Sequence, residues 1–400
     1  MKPEHVPWLK REWAWLDEIP APRTLALVCG LALAVRLGVS LVSHGSNDID
    51  TWQWFANLVS SHGVVRTYEL DPRFNHPPLT GWYAVFAAAC AHAARAQFDF
   101  VFKLLPILAS TATVFMVQRL GKLKVIWLLL FAVNPTDVLI SAYHGNTDSL
   151  CSACCVASVL FADRERPWLA GLLLGAAINV KLIPVVLIAP LALSLPRRHM
   201  WRFGVSLALC ALPFLFVALG SWAAFHRNAL AYNSQPAPWG EGVVFSALDG
   251  PMNSLSSLLR ALGLSLAKPL IFGSSVVLGL LQRRTRMFSR AQLCAIALSC
   301  FLVFAPGFGV QYLVYPSAFF AVSVAQGGFR YTYLAGTFAF LLYYGCWTGT
   351  WPAFSFFKLP FGTRSVAIGF LVWVWLTHYY VVAARRALSS LLLRPTSSGP

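Results

Sequence analysis

Two adjoining stretches decide the fold: TLALVCGLALAVRLGVSLVS, residues Thr24–Ser43, and HGSNDIDTW, residues His44–Trp52. The first is apolar except for Arg36, and as a helix it is long enough to cross a hydrocarbon layer of about 30 Å. The second places Asp48 and Asp50 together where the chain leaves that run. The whole sequence has only 15 Asp and Glu, so two within three residues mark a polar centre at a membrane edge.

The same apolar character continues outward from this point. The 400 residues are 58% hydrophobic and 12% charged, against about 25% charged in soluble domains. Candidate spans lie at 24–43, 100–118, 125–142, 148–162, 168–179 with 182–195, 203–224, 263–281, 291–307, 312–325, 331–348 and 365–383. They predict an all-α polytopic membrane protein of about twelve transmembrane helices, with loop helices on its outer face and no sizeable soluble domain. The formal charge of +16 does not point to nucleic acid. The basic residues are dispersed through short inter-helix loops, as orientation in a membrane requires, and no nucleic-acid-binding motif is present. Cys151, Cys154 and Cys155 could bind metal, but without a second Cys pair nearby they read as small residues that ease helix packing. Residues 1–23, with Trp8, Trp13 and Trp15, resemble an interfacial segment rather than a signal peptide, so the run from Thr24 is expected to be an uncleaved first span.

Charge decides the threading. The run 77–94 opens with Pro77-Pro78 and contains His92. If it lies at the outer face without crossing, most of the 31 Lys and Arg fall inside; if it crosses, every later loop flips. The stretch 168–195 has Arg166 before it and Arg197 after it, so two half-length helices meeting near Asn179-Val180-Lys181 keep both flanks inside. The expected organisation is a cytoplasmic interfacial segment (1–23), a first transmembrane module (24–200), a second transmembrane module (201–384) with outer loop 225–262, and a cytoplasmic tail (385–400).

This threading gathers polar chemistry on one face: Asp48, Asp50 and His76; the turn Tyr143-His144-Gly145-Asn146-Thr147-Asp148; Lys181; His226, Arg227 and Gln235; and the turn Pro306–Tyr312 with Gln311. Each member has a plainer explanation. Asp48 could cap a helix, His144 could bond a helix end, Lys181 could snorkel to headgroups, Pro77-Pro78 could punctuate a turn, and Arg36 could be a satisfied membrane charge. The convergence on one face weighs more than any single residue.

The arrangement resembles the C-type (GT-C) glycosyltransferase superfamily of polytopic enzymes that use polyprenyl-phosphate sugars. It is most similar to the dolichyl-phosphate-glucose glucosyltransferases and to bacterial mannosyl- and arabinosyl-type relatives. An Asp-x-Glu, a Trp-containing helix and a Tyr-Pro-Pro-Leu-Thr segment in those enzymes look like Asp48-Ile49-Asp50, Trp52 and Trp54, and His76-Pro77-Pro78-Leu79-Thr80. A later Pro and His-rich turn looks similar to Asn134-Pro135 with Tyr143–Asn146. Asp stands here for Glu at 50 and His for Tyr at 76. The resemblance covers residues 24–200.

It implies a GT-C-like bundle that moves a hexose-type sugar from a polyprenyl-phosphate donor to a lipid- or glycan-linked acceptor, by one inverting displacement. Asp48 is then the expected base and Asp50 its helper. Lys181, followed by Arg227 and His226, would hold the donor phosphate, and His76, His144, Asp148, Gln235 and Gln311 would contact substrate. No Gly-rich nucleotide loop is present, no cofactor is required, and no metal site is expected. The partners are the donor, the acceptor and membrane lipid, without nucleic acid. A bacterial inner membrane with a periplasmic site and cytoplasmic termini is expected. The alternatives are a lipid or sugar transporter or flippase, and an outer-face glycan ligase or polymerase. The first should show matched internal repeats, and the second should carry its key residues in a late outer loop.

Overall fold

The computed structural model describes residues 14–232, 240–244, 253–325 and 361–392. The described elements are helical: α1 (Pro22–Leu41), α2 (Asn47–Leu70), α3 (Pro78–Ala94), α4 (Phe98–Gly121), α5 (Val125–Ala132), α6 (Pro135–Val138), α7 (Asp148–Asp163), α8 (Pro167–Val180), α9 (Ile188–Ser194), α10 (Arg197–Leu209), α11 (Leu212–Phe225), α12 (Asn253–Thr285), α13 (Arg290–Phe304), α14 (Val314–Ala325) and α15 (Phe361–Leu392). Proline opens many of them. Pro22, Pro78, Pro135 and Pro167 sit in the first turn, where a missing N–H costs nothing and φ is already helical.

The protein is an all-α polytopic membrane protein. Among the described residues, five helical stretches are long and apolar enough to cross a membrane: Pro22–Leu41, Phe98–Gly121, Val125–His144, Ala261–Thr285 and Val366–Arg386; the bent pair α10–α11 makes a sixth if it is one span. The expected spans at 168–179, 182–195 and 291–307 are shorter apolar helices, and the one at 331–348 lies outside the described residues. Lipid-facing character is plain on α1, where Leu27 and Leu41 are exposed although nothing about their chemistry favours water. Segment 77–94 is a 17-residue helix from Pro78, at the lower limit for a crossing.

A large apolar core runs from α1 through α15 and joins both expected modules. A smaller one sits under α2, α3 and the start of α4, around Trp52, Phe55, Tyr68, Phe74 and Phe102. Arg36 is fully buried and donates to Ala32 O, Ala132 O and Ser110 Oγ, at 2.9, 2.7 and 3.0 Å. These bonds explain a guanidinium inside the bilayer and lock α1 to α4 and α5. Between α8 and α10 the backbones nearly touch: a Cβ at Gly171 would meet Phe203 O at 2.3 Å, and one at Gly175 would meet Cys210 Cβ at 2.4 Å. This is the small-xxx-small packing that replaces the hydrophobic effect inside lipid. The cysteine cluster takes part in similar packing, with Cys151 Sγ 3.3 Å from Ala177 O.

Candidate active site

The break expected near Lys181 is present. Helix α8 ends at Val180, Lys181 is extended (φ −149°, ψ 146°), and a 3₁₀ turn, Ile183–Leu187, leads into α9. Lys181 is buried and forms an ion pair with buried Asp148 at 3.1 Å. Asp148 also accepts from Tyr315 Oη at 2.5 Å, and Lys181 Nζ stands 5.0 Å from the centre of the Tyr312 ring. Buried charges hold together only when paired and hydrogen-bonded, and this pair is both.

Asp48 enters from the first turn of α2. Ser46, not Asp48, caps that helix: its Oγ accepts from Asp48 N at 3.3 Å and donates to His144 O at 2.7 Å. The same residue therefore ties α2 to the turn after α6. That turn begins as a π-helical segment, Leu139–His144, and reverses at Gly145 with φ +75°, a conformation open to glycine. Ile49 packs so closely there that a Cβ on Gly145 would lie 2.4 Å from it. The reversal aims two side chains at one carboxylate oxygen: His144 Nε2 lies 3.1 Å from Asp48 Oδ2, and Asn146 Nδ2 donates to it at 2.6 Å. Burial alone would raise the Asp48 pKa. His144, Lys181 and Asn146 outweigh it and hold the carboxyl down to about 2. It is a carboxylate across the physiological range.

His76 completes the group. Its ring packs on Trp52, with centroids 4.5 Å apart, and Tyr68 donates to its backbone oxygen. Burial, with Lys181 nearby and Asp48 only partly compensating, lowers its pKa to about 3, so the imidazole is neutral. His76 and Lys181 line a cavity of about 390 Å³ whose other walls are mostly apolar, among them Ile183, Val186, Ile271, Phe272 and Phe301, with Lys268 on the α12 side. One buried cation and a neutral imidazole thus face an apolar chamber, with the Asp48 carboxylate close enough for its charge to act on both.

Other expected residues are placed elsewhere. Asp50 is two positions along the helix and points away from Asp48, with Oδ1 3.1 Å from His44 Nε2 and its side chain mostly exposed. His226 and Arg227 are exposed; His226 packs on Trp222, and Arg227 donates to Asn228 at 3.2 Å. Gln311 folds back against Gly309, and Gln235 lies outside the described residues. Tyr315, Ser46 and Lys268 join the site although the sequence did not single them out, and Asn146, which the sequence placed on this face without a role, holds Asp48. A Tyr within an apolar run was the only signal for Tyr315, and that is a common pattern in helix cores. Among the described residues no three His, Cys, Asp or Glu side chains group at metal-binding distance.

The sequence matches the model of Glycosyltransferase family 87 over residues 74–306, more than half of the chain. His76, His144, Asp148 and Lys181 fall inside the matched region, and Asp48 precedes it. No curated protein matches the chain.

Proposed function

We propose, on the premise that the chain belongs to glycosyltransferase family 87, that it transfers a hexose-type sugar from a polyprenyl-phosphate donor to a lipid- or glycan-linked acceptor at the outer membrane face. The observation that carries this reading is the Asp48 carboxylate, fixed by His144 and Asn146 beside a buried lysine that lines an apolar chamber. A soluble nucleotide sugar has no use for such a chamber, whereas a donor with a phosphate head and a prenyl tail matches both its ends.

In this reading the acceptor hydroxyl oxygen attacks the anomeric carbon while the bond from that carbon to the donor phosphate oxygen breaks. The bonding electrons leave with the lipid phosphate, and the hydroxyl proton passes to Asp48. One displacement inverts the centre. A carboxylate held near pKa 2 is too weak a base to deprotonate a free alcohol. It accepts the proton late, when bonding to an electron-poor anomeric carbon has made the hydroxyl acidic. Lys181 steadies the departing phosphate, and Asp148 and Tyr315 keep the ammonium charged and aimed. Neutral His76 can donate one hydrogen bond to a phosphate or sugar oxygen. Asp50, turned toward His44, is left to contact the acceptor from the exposed side. The outer face is taken as periplasmic in a bacterial inner membrane, with both termini cytoplasmic, on the basic character of the opposite loops.

The test is transfer by the purified full-length protein supplied with radiolabelled polyprenyl-phosphate hexoses or nucleotide sugars, together with a membrane-lipid extract as acceptor source. Label incorporation from a polyprenyl-phosphate sugar with release of polyprenyl phosphate is expected. Incorporation from the nucleotide sugar alone would sink the donor assignment.

A further inference from the structure

At the opposite end of α7 from Asp148, roughly 22 Å away at 1.5 Å per residue, five chain segments frame a second pocket of about 570 Å³. The end of α7 contributes Asp163, the end of α9 Ser194, the start of α10 Arg197, the end of α12 Arg283 and the residue just after it Arg286, and the start of α13 Arg290. Four arginines and one carboxylate therefore line the same pocket. That carboxylate is already engaged: Arg290 donates to Asp163 at 2.6 Å and to Ser194 Oγ at 3.1 Å. Among the described residues, Arg197, Arg283 and Arg286 form no ion pair. Arg283 has Met200 Sδ at 3.1 Å, a weak acceptor.

Orientation by basic loops accounts for arginines on this face, but scattered, solvated charges would serve it equally well. Here they are concentrated around a concavity, where a bound anion would relieve their repulsion. The guanidinium fork suits phosphate oxygens above other anions of membrane surroundings.

The depth of the pocket identifies the source of the anion. Trp168 and Trp201, in the first turns of α8 and α10, are exposed and packed edge to face with centroids 5.7 Å apart. Exposed tryptophan at helix ends marks the headgroup level of a bilayer. On α12, just before the arginines, Val276, Val277 and Leu280 are exposed, a surface made for acyl chains rather than water. A phosphate at the pocket with hydrocarbon along α12 satisfies both features.

We propose that the pocket framed by Arg197, Arg283, Arg286 and Arg290 binds the phosphate headgroup of an anionic membrane lipid, in the leaflet opposite the reaction centre. Basic pockets between membrane helices are a recurrent form of such recognition. The site is separate from the proposed donor chamber, and its occupancy would brace α7, α9, α10, α12 and α13 where they converge.

The experiment uses the full-length protein, delipidated in a neutral detergent and titrated with cardiolipin, phosphatidylglycerol, phosphatidylcholine or inorganic phosphate. Binding is read by native mass spectrometry and by the midpoint of thermal unfolding. Wild type should bind cardiolipin and phosphatidylglycerol in preference to phosphatidylcholine, and the R197Q/R286Q variant should bind them about tenfold more weakly. The R164Q variant, altered on the same face outside the pocket, should match wild type. Equal binding by wild type and R197Q/R286Q overturns the proposal. So does millimolar inorganic phosphate that displaces the lipid, since it would identify a free-phosphate site. If R197Q/R286Q does not fold, wild type decides alone: a midpoint raised by phosphatidylglycerol and not by phosphatidylcholine supports the proposal, and equal effects refute it.

Discussion

Replacing Lys181 with Gln should separate the structural from the catalytic use of this lysine. Its partner Asp148 is fully buried, and their charged atoms are 3.1 Å apart. Among the described residues, removing the ammonium leaves a carboxylate in a low-dielectric interior with the Tyr315 hydroxyl as its one side-chain partner. Breaking one side of a buried ion pair typically destabilises by about 3–5 kcal/mol. Removing the second charge as well, in K181Q/D148N, leaves two neutral amides able to bond each other, and most of the loss should return. A double-mutant cycle on detergent-solubilised protein, with unfolding followed by intrinsic fluorescence in denaturant, should give a coupling energy above about 2 kcal/mol. The folded double variant should still transfer sugar about 10²–10³-fold more slowly, because the buried cation proposed to steady the departing phosphate is gone. Two single substitutions that each cost under about 1 kcal/mol and add within about 0.5 kcal/mol would refute the buried pair. A double variant with normal transfer would refute the phosphate role while leaving the pair intact.

Three further outcomes follow from the geometry. Gly145→Ala places a Cβ 2.4 Å from Ile49 at φ +75°, so it should destabilise by about 1–3 kcal/mol and, by displacing His144 and Asn146, slow transfer; a thermal midpoint within a degree of wild type would contradict this. His76 has its folded-state pKa lowered to about 3, so its contribution to stability is complete above the unfolded value near 6.5 and is lost as pH falls toward 3. Moving from pH 7.5 to pH 5 should therefore cost up to about 2 kcal/mol in wild type, and a denaturant series in which His76→Asn loses as much would remove the neutral imidazole from the account. In a cysteine-free background, Leu70→Cys should react with an impermeant maleimide in intact cells and Arg164→Cys only after permeabilisation. The reverse pattern would invert the threading.

Much of this site is legible in the sequence because the membrane makes charge expensive. The flanking Arg166 and Arg197 are enough to demand a break near Lys181, and the break is there. The same charge threading brings His144 and Asp48 to one face, and the structure joins them by a hydrogen bond. The pairing of Asp50 with Asp48 is where sequence proximity misleads. Once the segment is helical, positions i and i+2 lie about 200° apart around the axis, so one carboxylate facing inward sends the other outward to His44. Arg227 and His226 are exposed and do not line the chamber: charge in a loop is legible in sequence, but its distance from a pocket is not. Tyr315, and the bond that gives Asn146 its role, were hidden because they depend on contacts that cross 167 and 98 residues of chain. Such contacts leave no local period or spacing. The count of twelve spans rests on apolar runs, and several of these form helices too short to cross alone.

The central claim is that the Asp48 carboxylate receives the acceptor proton. Asp48→Asn keeps the size of the side chain and its acceptance from Asn146 while removing the charge, so initial rates with a polyprenyl-phosphate sugar isolate the chemistry. The account predicts a kcat lowered by about 10²–10⁴ with the donor KM within a few-fold of wild type. A folded Asp48→Asn protein that turns over at the wild-type rate would contradict it.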